Sequence, residues 1–144
     1  MYEIQHQQDL ETIDPGLFEL LRLEDERQVR RLIMIPSESA SPVAVRESLG
    51  STFTNIYAEG YPRPETQAYS EEKILDYPHM LGTYRRYSDP RFYKGVEYVD
   101  VVEALARRRC AETFAANNLT ADDLYVNVQP LSGAPANNAV YSAF

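Results

Sequence analysis

The sequence predicts an α/β protein of which this chain forms a mostly helical part. Two patterns lead to that class. Long stretches repeat apolar residues at helical spacing, and the C-terminal third holds one alternating segment followed by a glycine turn and a helix. Of the 144 residues, 44% are hydrophobic and 25% are charged, which is typical of a folded domain. Since one strand cannot form a sheet, the strand–turn–helix unit is expected to open a larger α/β domain, with this chain as its N-terminal portion.

Capping residues predict two helices in the N-terminal third of the chain. Asp14 is a good N-cap, and Pro15 suits the first helical position, where its missing N–H costs nothing. Leucines follow at helical spacing and then a charged stretch, which predicts one long helix, or two short ones, ending near Leu32. Ser41 is the expected N-cap of the second helix, which Gly50 should stop.

The middle of the chain carries weaker signals. Residues 51–62 show neither helical nor strand periodicity and are expected to form a loop. Residues 63–90 hold four tyrosines, too many for a flexible linker, and a short helix is expected around Glu71 to Tyr77. His79 is expected to be an ordinary loop residue of this segment.

The last third begins with a strongly helical pattern. Apolar residues recur every four positions, which predicts a helix over Glu97 to Asn117. Residues Tyr125 to Gln129 alternate and contain valines, so they are predicted to form a short strand. Ser132 and Gly133 then turn the chain into a last helix, which is predicted to continue to Phe144.

Several side chains of the helix at 97–117 are expected to have ordinary structural roles. Glu97 and Asp100 suit its first turn, where carboxylates interact favourably with the helix dipole. The run from Arg107 to Arg109 is expected to form a solvated face near the C-terminal end, where cations are favoured. Cys110 is expected to be a small buried residue on the helix face.

Charge and composition exclude several classes of protein. The 22 acidic residues outnumber 14 lysines and arginines, and the formal net charge is −8. A chain this acidic is expected to bind neither nucleic acid nor an anionic membrane surface through charge. No apolar run approaches the roughly 18 residues needed to span a bilayer. The segment Met1 to His6 lacks the basic and apolar regions of a secretory signal.

A cytoplasmic location without a metal site is expected. The single cysteine, Cys110, rules out an internal disulfide and fits a reducing cytosol. The two histidines, His6 and His79, are too far apart for a usual zinc spacing.

Three polar segments could carry chemistry. In the turn from Tyr57 to Pro62, Glu59 lies between two tyrosines and could move protons while the phenols orient a substrate. The alternative is a surface turn with partly buried rings. The segment Ser132 to Asn137 opens a helix, so it could bind an anion through backbone N–H groups or be a simple N-cap. The segment Pro36 to Ser39 could bind a carboxylate or form a helix entry.

Together these segments resemble the N-terminal portion of serine hydroxymethyltransferase, a pyridoxal-phosphate enzyme of fold type I. The matching stretches occur in the family order and contain its long signatures, TN-x-Y-x-EGYP and NVQP-x-SG-x-x-AN-x-AVY. They are Leu32 to Ser39, Gly50 to Pro62, Arg91 to Glu103 and Val126 to Phe144. The resemblance implies an enzyme that interconverts serine and glycine and transfers a one-carbon unit to tetrahydrofolate, with pyridoxal 5'-phosphate as cofactor.

The resemblance also implies roles for individual residues. Glu59 matches the proton-transfer carboxylate beside the substrate hydroxyl and the folate. Tyr57 matches a tyrosine that reaches the cofactor phosphate across the dimer interface. The substrate-binding and folate-binding positions are Ser37, Tyr93 and Phe92, and the phosphate-binding turn comprises Ser132, Gly133 and Ala134.

The chain departs from the family pattern in three places. Phe92 stands where the family usually has a tyrosine that packs on the folate, so the ring is kept and the hydroxyl lost. Ala134 stands where the family usually has a phosphate-binding serine, whose hydrogen bond would contribute roughly 1.5–3 kcal/mol. The segment 63–90 replaces a connection of a couple of residues.

The resemblance divides the chain into an N-terminal helical arm with the active-site loop (1–62), an insertion (63–90) and the incomplete start of the cofactor-binding large domain (91–144). Neither Lys73 nor Lys94 matches the lysine that forms the Schiff base, so this chain alone is expected to be inactive. The expected assembly is a homodimer or tetramer with active sites at the subunit interface, or an assembly with a second chain that carries the remainder of the fold.

Two other functions remain open at this point. A folate-independent aldolase or transaldolase of β-hydroxy amino acids would have the same fold, and Phe92, Ala134 and the insertion favour it. A non-catalytic split subunit or binding module would explain the missing lysine. The lone strand and the uncapped final helix count against that second alternative.

Overall fold

Residues 8–87 and 89–144 are described by a computed structural model. The chain divides into two units, of which the first ends at Arg46 and the second runs from Glu47 to Phe144. The segment Met1 to His6, where no secretory signal is expected, lies outside the described residues. No helix in the described part of the chain has the length and apolar character needed to cross a membrane.

Helices are the regular elements of the described residues, so the mostly helical character predicted for the chain is confirmed. The α-helices are α1 Leu10–Ile13, α2 Pro15–Arg30, α3 Val43–Leu49, α4 Glu71–Leu75, α5 Tyr77–Arg86, α6 Glu97–Phe114 and α7 Gly133–Ala143. Short 3₁₀ turns occupy Thr52–Asn55, Pro64–Ala68 and Ala121–Asp123.

Helix α2 begins where its capping residues predict. The Asp14 side chain accepts a hydrogen bond from the Leu17 N–H at 2.9 Å, and Pro15 occupies the first turn. Arginines bind glutamates one turn away along the helix, as suits a solvent-facing surface. The pairs are Arg22–Glu19, Arg27–Glu24 and Arg30–Glu26. No residue of α2 is buried among the described residues.

The core of the second unit lies where residues 63–90 pack on α6. Ile74 of α4 and Met80 of α5 form one buried cluster with Val101 and Ala104 of α6. Ile74 has no exposed surface at all. The segment 63–90 is therefore a folded element that builds the core, in agreement with a tyrosine content too high for a linker.

The strand predicted for Tyr125 to Gln129 is not formed. A strand needs a neighbouring strand that supplies backbone hydrogen bonds, and none occurs among the described residues. Hydrogen bonds that involve side chains hold this segment instead; in one of them Gln67 Nε2 donates to the Val126 carbonyl oxygen at 3.1 Å. The helix that follows has the predicted N-cap, Ser132, and ends at Ala143.

Helix α5 lies outside the predicted helices. His79 belongs to this helix and not to a loop, so its predicted setting was wrong. The Asp76 side chain accepts a hydrogen bond from the His79 N–H at 3.1 Å, and Pro78 stands in the first turn. Because both residues are ordinary helix-start signals, the sequence does contain the information that marks this helix.

The prediction of a solvated run of arginines is wrong at its first residue. Arg107 is buried, with 4% of its surface exposed, and its guanidinium donates to Thr66 Oγ1 at 2.6 Å. Arg108 and Arg109 bind carboxylates, namely those of Glu112, Asp122 and Glu71. A local pattern cannot reveal the burial of Arg107, because the residue that bonds it is 41 positions away.

Helix α6 begins and ends close to its predicted limits. Glu97 and Asp100 lie in its first turn, as predicted. Beyond the helix the chain turns at Asn117 and Asn118, whose φ angles of 54° and 70° lie in the left-handed region that asparagine tolerates. Cys110 is a free thiol and is half-buried, less than predicted.

Candidate active site

The turn from Tyr57 to Pro62, here named the carboxylate turn, requires glycine at one position. Gly60 has φ +73°, a backbone conformation that other residues rarely adopt. A Cβ atom added there would also lie 3.0 Å from Arg91 Cδ, closer than ordinary packing allows. Backbone conformation and the close approach of Arg91 therefore both constrain the turn that carries Glu59.

Glu59 is held by the backbone of a segment distant in sequence. Its Oε1 accepts hydrogen bonds from the N–H groups of Phe92 and Tyr93, at 3.2 and 3.4 Å. The residue is half-buried. The structure thus brings the predicted proton-transfer residue together with two of the predicted substrate positions, although the segment 63–90 lies between them in sequence.

Three aromatic rings form a cluster beside these hydrogen bonds. The ring centroids of Tyr57 and Tyr93 are 4.4 Å apart, and those of Phe92 and Tyr93 are 5.2 Å apart in an edge-to-face arrangement. The three residues remain 67%, 46% and 85% exposed for Tyr57, Tyr93 and Phe92 respectively. The rings therefore orient one another while much of their surface stays accessible, as a site that receives a flat ligand requires.

An ion-pair cluster holds the loop that supplies the two N–H groups. Arg91 binds Asp89 at 2.9 Å and Asp100 of α6 at 2.7 Å, and each of the three side chains is at most 13% exposed. Hydrogen bonds from Arg91 lower the pKa of Asp89 to about 2. Hydrogen bonds to Asp100 and Asp89 in turn raise the pKa of Arg91. The Lys94 ammonium donates to the carbonyl oxygens of Asp89 and Arg91, which ties the loop to itself.

The predicted phosphate turn lies at the N-terminus of α7. Ser132 is the N-cap, and its carbonyl oxygen accepts a hydrogen bond from the Ala136 N–H at 3.3 Å. Within the described residues no side chain caps this end, and its first turn holds no acidic residue. A Cβ added to Gly133 would meet nothing within 4 Å. An 11-residue helix with an uncapped N-terminus and open space beside it fits a phosphate group, although Ala134 brings no hydroxyl.

Side chains that precede the phosphate turn reach back to the carboxylate turn. Gln129 Nε2 donates to the Gly60 carbonyl oxygen at 2.7 Å and to Glu103 Oε2 of α6 at 2.9 Å. Asn127 Nδ2 donates to the Tyr61 hydroxyl at 3.4 Å. The two turns thus share a polar link that no local sequence pattern predicts.

Ser37 lies in the first unit. It is exposed, in a turn closed by a hydrogen bond from the Glu38 N–H to the Ile35 carbonyl oxygen at 3.0 Å. Arg27 and Arg31 line the same shallow groove. A hydroxyl near cationic side chains could receive a carboxylate, and the role implied for Ser37 stays a prediction.

A separate cavity of about 240 Å³ lies between residues 63–90 and the start of α6. Tyrosine rings form much of its wall, contributed by Tyr61, Tyr69, Tyr84 and Tyr87. Burial, and to a lesser degree the Asp89 carboxylate, raise the pKa of the Tyr84 phenol. The tyrosine content of residues 63–90 indicated a folded segment, and the structure shows that several of these rings line a cavity.

Potential metal ligands are dispersed. Among the described residues, no three or more His, Cys, Asp and Glu side chains group in a way that could hold a metal ion. His79 packs near Tyr69 instead, with ring centroids 6.4 Å apart.

Comparisons with known proteins agree on one family. The serine hydroxymethyltransferase family profile matches residues 10–88 and 84–144. The chain is 42% identical over 134 residues to serine hydroxymethyltransferase of Sulfurovum sp. (strain NBC37-1), with 93% of this chain and 24% of that protein covered. It is 40% identical over 142 residues to serine hydroxymethyltransferase of Sorangium cellulosum (strain So ce56), with 99% and 26% covered. It is 36% identical over 134 residues to serine hydroxymethyltransferase 5 of Arabidopsis thaliana, with 93% and 22% covered.

These matches lead to a family of pyridoxal-phosphate-dependent transferases of fold type I. It belongs to the serine hydroxymethyltransferase family, as the resemblance of its motifs indicates. The chain spans about a quarter of the length of the curated relatives it matches. No solved structure matches it.

Proposed function

We propose that this chain is the N-terminal part of a serine hydroxymethyltransferase that interconverts serine and glycine and transfers a one-carbon unit to tetrahydrofolate. One observation carries the proposal: the Glu59 carboxylate is oriented by the Phe92 and Tyr93 N–H groups beside a cluster of aromatic rings. Membership of the family supports it. A carboxylate with a fixed orientation can exchange a proton with a substrate hydroxyl.

The hydrogen bonds of Glu59 suit that role because they leave one oxygen available. Both backbone donors bond Oε1, which restricts rotation of the side chain. The described residues make no hydrogen bond to Oε2. We assign Oε2 as the atom that takes the proton of a substrate hydroxyl and returns it, with Glu59 as the catalytic acid–base residue.

Pyridoxal 5'-phosphate, when bound, supplies an electron sink for negative charge on the α-carbon of the substrate. Its phosphate would be held by backbone N–H groups of the turn from Ser132 to Ala134, at the positive end of α7. Since Ala134 has no hydroxyl, these N–H groups and the helix dipole must provide the binding. Tyr57 is 67% exposed, so its hydroxyl is accessible to a phosphate held by a second copy of the chain.

The remaining substrate contacts are assigned to Ser37, Tyr93 and Phe92. Ser37 and Tyr93 are each assigned as a hydroxyl that can bind a substrate carboxylate. Phe92 is 85% exposed and packs edge-to-face against Tyr93, so it presents an apolar ring face on which the folate could stack.

We further propose a cytoplasmic homodimer or tetramer with active sites at the subunit interface. Exposed leucines of α2 support an interface, because large apolar patches on a protein surface usually mark a contact. These are Leu17, Leu20, Leu21 and Leu23, which are 45–63% exposed. An assembly with a second chain that carries the remainder of the fold is the alternative.

The Glu59 assignment is tested in the full-length protein with Glu59→Gln. The amide keeps the shape of the side chain and cannot exchange a proton, so kcat should fall about 10²–10⁴-fold. Glycine binding and cofactor occupancy should change little. Tyr57→Phe is the matched comparison, since it should weaken cofactor retention instead. Turnover of Glu59→Gln near the wild-type rate, with full cofactor, would show that the segment is a plain surface turn.

A folate-independent aldolase or transaldolase of β-hydroxy amino acids is the second candidate. Phe92 favours it, because a hydroxyl is lost where the folate would pack. The position of residues 63–90, between the two halves of the site in sequence, favours it as well. This candidate predicts cleavage of the amino acid at a rate that does not depend on tetrahydrofolate.

A further inference from the structure

Gln129 joins three parts of the second unit through one side chain. Its Nε2 donates to the Gly60 carbonyl oxygen at 2.7 Å and to Glu103 Oε2 at 2.9 Å. Gly60 directly follows Glu59, Glu103 belongs to α6, and Gln129 itself lies three residues before Ser132. The side chain therefore connects the carboxylate turn, α6 and the segment that leads into the phosphate turn.

The two bonded groups require a side chain with at least two hydrogen-bond donors at this position. A backbone carbonyl and a carboxylate are both acceptors, so each of them needs a donor. The amide nitrogen of glutamine has two N–H bonds, and both are used here. A glutamate side chain would offer only acceptors, and a methionine side chain would offer no donor for either group.

Neighbouring contacts hold both the backbone of Gln129 and its partner Glu103. The backbone N–H of Gln129 donates to the Asn127 side-chain oxygen at 2.9 Å. On the α6 side, Glu103 lies 4.0 Å from the Arg107 guanidinium, with 14% and 5% of the two side chains exposed. Arg107 in turn donates to Thr66 Oγ1 at 2.6 Å. Gln129 itself is exposed, so its anchor is the Glu103 carboxylate, which is largely buried on α6 beside Arg107.

We propose that Gln129 is a positioning residue: by holding the Gly60 carbonyl oxygen, it sets the Glu59 carboxylate relative to the segment that leads into the phosphate turn. The inference rests on the proposed function, since it concerns the placement of the same carboxylate. A misplacement of about 1 Å can cost roughly 10²-fold in rate. Loss of Gln129 should therefore act on kcat and leave the cofactor site intact.

Three variants of the full-length protein test the proposal. Gln129→Met keeps the length of the side chain and removes both donors. The double variant Gln129→Glu, Glu103→Gln exchanges the two side chains, so that residue 103 can donate to residue 129 while nothing donates to the Gly60 carbonyl oxygen. Gln67→Met is the matched control, because it removes a hydrogen bond to the Val126 carbonyl oxygen.

We expect Gln129→Met to lower kcat for folate-dependent serine cleavage by about tenfold or more, with KM for serine and cofactor occupancy within about twofold. The exchanged double variant should be equally slow, and Gln67→Met should resemble wild type. Hydrogen exchange in the cofactor-free protein gives a readout independent of turnover. The N–H groups of Phe92 and Tyr93 should exchange faster in Gln129→Met, while those of α6 should not change.

Two results would overturn the positioning role. Wild-type turnover in the exchanged double variant would show that only the hydrogen bond between residues 129 and 103 matters. Because this variant keeps that hydrogen bond, it still tests the role if Gln129→Met fails to fold. Wild-type turnover and wild-type hydrogen-exchange rates in Gln129→Met would equally exclude the role.

Glu59→Gln is measured alongside, to separate this proposal from the proposed function. If it turns over normally, the proposed function fails and the role of Gln129 with it; if it is slow while Gln129→Met is normal, only the positioning role fails.

Discussion

Helices α2 and α6 have similar lengths, 16 and 18 residues, but different contacts stabilise them. In α6, Val101, Ala104 and Ala111 are each at most 5% exposed. In α2, which lies within the described residues, no residue is buried, and its leucines are 45–63% exposed. Its side chains instead form ion pairs between residues one turn apart along the helix.

The difference shows which helix has its stabilising contacts within its own unit. Burial of an apolar face provides most of the stability of a helix in a protein, and α6 buries such a face. Ion pairs on an exposed helix contribute little and weaken with salt. Helix α2 therefore presents an apolar surface that another protein surface would bury, in keeping with the subunit interface proposed above.

Removing a buried contact beside α6 should produce the largest change in stability. Ile74→Ala leaves a cavity next to Val101 and Ala104, so the free energy of unfolding should fall by about 2–5 kcal/mol. Leu20→Ala on α2 is the comparison. If the proposed assembly buries Leu20, the loss of unfolding free energy in Leu20→Ala should grow with protein concentration in denaturant titrations. A cost for Ile74→Ala below about 0.5 kcal/mol would contradict the contrast between the helices.

The free energy of unfolding should fall by a smaller amount when the buried Arg107 of α6 loses its hydrogen-bond partner. Thr66→Val keeps the shape of the side chain and leaves the Arg107 guanidinium without its hydroxyl acceptor. Leaving a buried donor unpaired costs about 1–3 kcal/mol. Thr113→Val, at an exposed position of α6, is the control and should stay within about 0.5 kcal/mol of wild type. Equal unfolding midpoints for the two variants would mean that the contact contributes nothing.

Acid should weaken the loop that holds Glu59. Because Arg91 lowers the pKa of Asp89 to about 2, the ionised carboxylate stabilises the folded state above its ordinary pKa of 3.8. That contribution is lost as the pH falls from there toward 2. We expect thermal unfolding temperatures of wild type to drop over this window, and those of Asp89→Asn to drop less. Parallel pH profiles would show that the ion pair does not stabilise the fold.

Salt should produce the smallest effect, and chiefly in α2. Screening weakens ion pairs between exposed side chains, so backbone amides of α2 should exchange faster with solvent deuterium at high salt. Amides of α6, which also carries exposed ion pairs, should change less, since burial stabilises that helix. Hydrogen exchange at low and high salt checks this directly, and a salt response as large in α6 as in α2 would remove the distinction.

Local signals in the sequence were sufficient wherever a structure depends on neighbouring residues. Asp14 caps the start of α2 through a hydrogen bond that spans three residues, and Ser132 with Gly133 marks the start of α7. The segment 125–129 has the pattern of a strand, but a strand depends on a partner that the pattern does not contain. The predicted exposure of Arg107 was wrong for the same reason: its partner Thr66 is distant in sequence.

The candidate active site could also be predicted only in part, because its contacts join residues distant in sequence. From the residues alone, Glu59 between two tyrosines was compatible with a surface turn, and its backbone partners at Phe92 and Tyr93 lie 33 and 34 positions away. Resemblance to a family placed these residues in one site, and the geometry brings them together. Gln129 belongs to the NVQP signature, but the sequence assigned it no role, because its partners, Gly60 and Glu103, meet only in the folded chain.

The measurement that tests the central claim most directly is the cleavage of serine to glycine by the full-length protein, with and without tetrahydrofolate. We predict glycine formation that requires pyridoxal 5'-phosphate and that tetrahydrofolate accelerates, with most of that acceleration lost in Glu59→Gln. Equal rates with and without tetrahydrofolate would contradict the transfer of a one-carbon unit and favour the aldolase. No cleavage by fully loaded protein would contradict an enzymatic function.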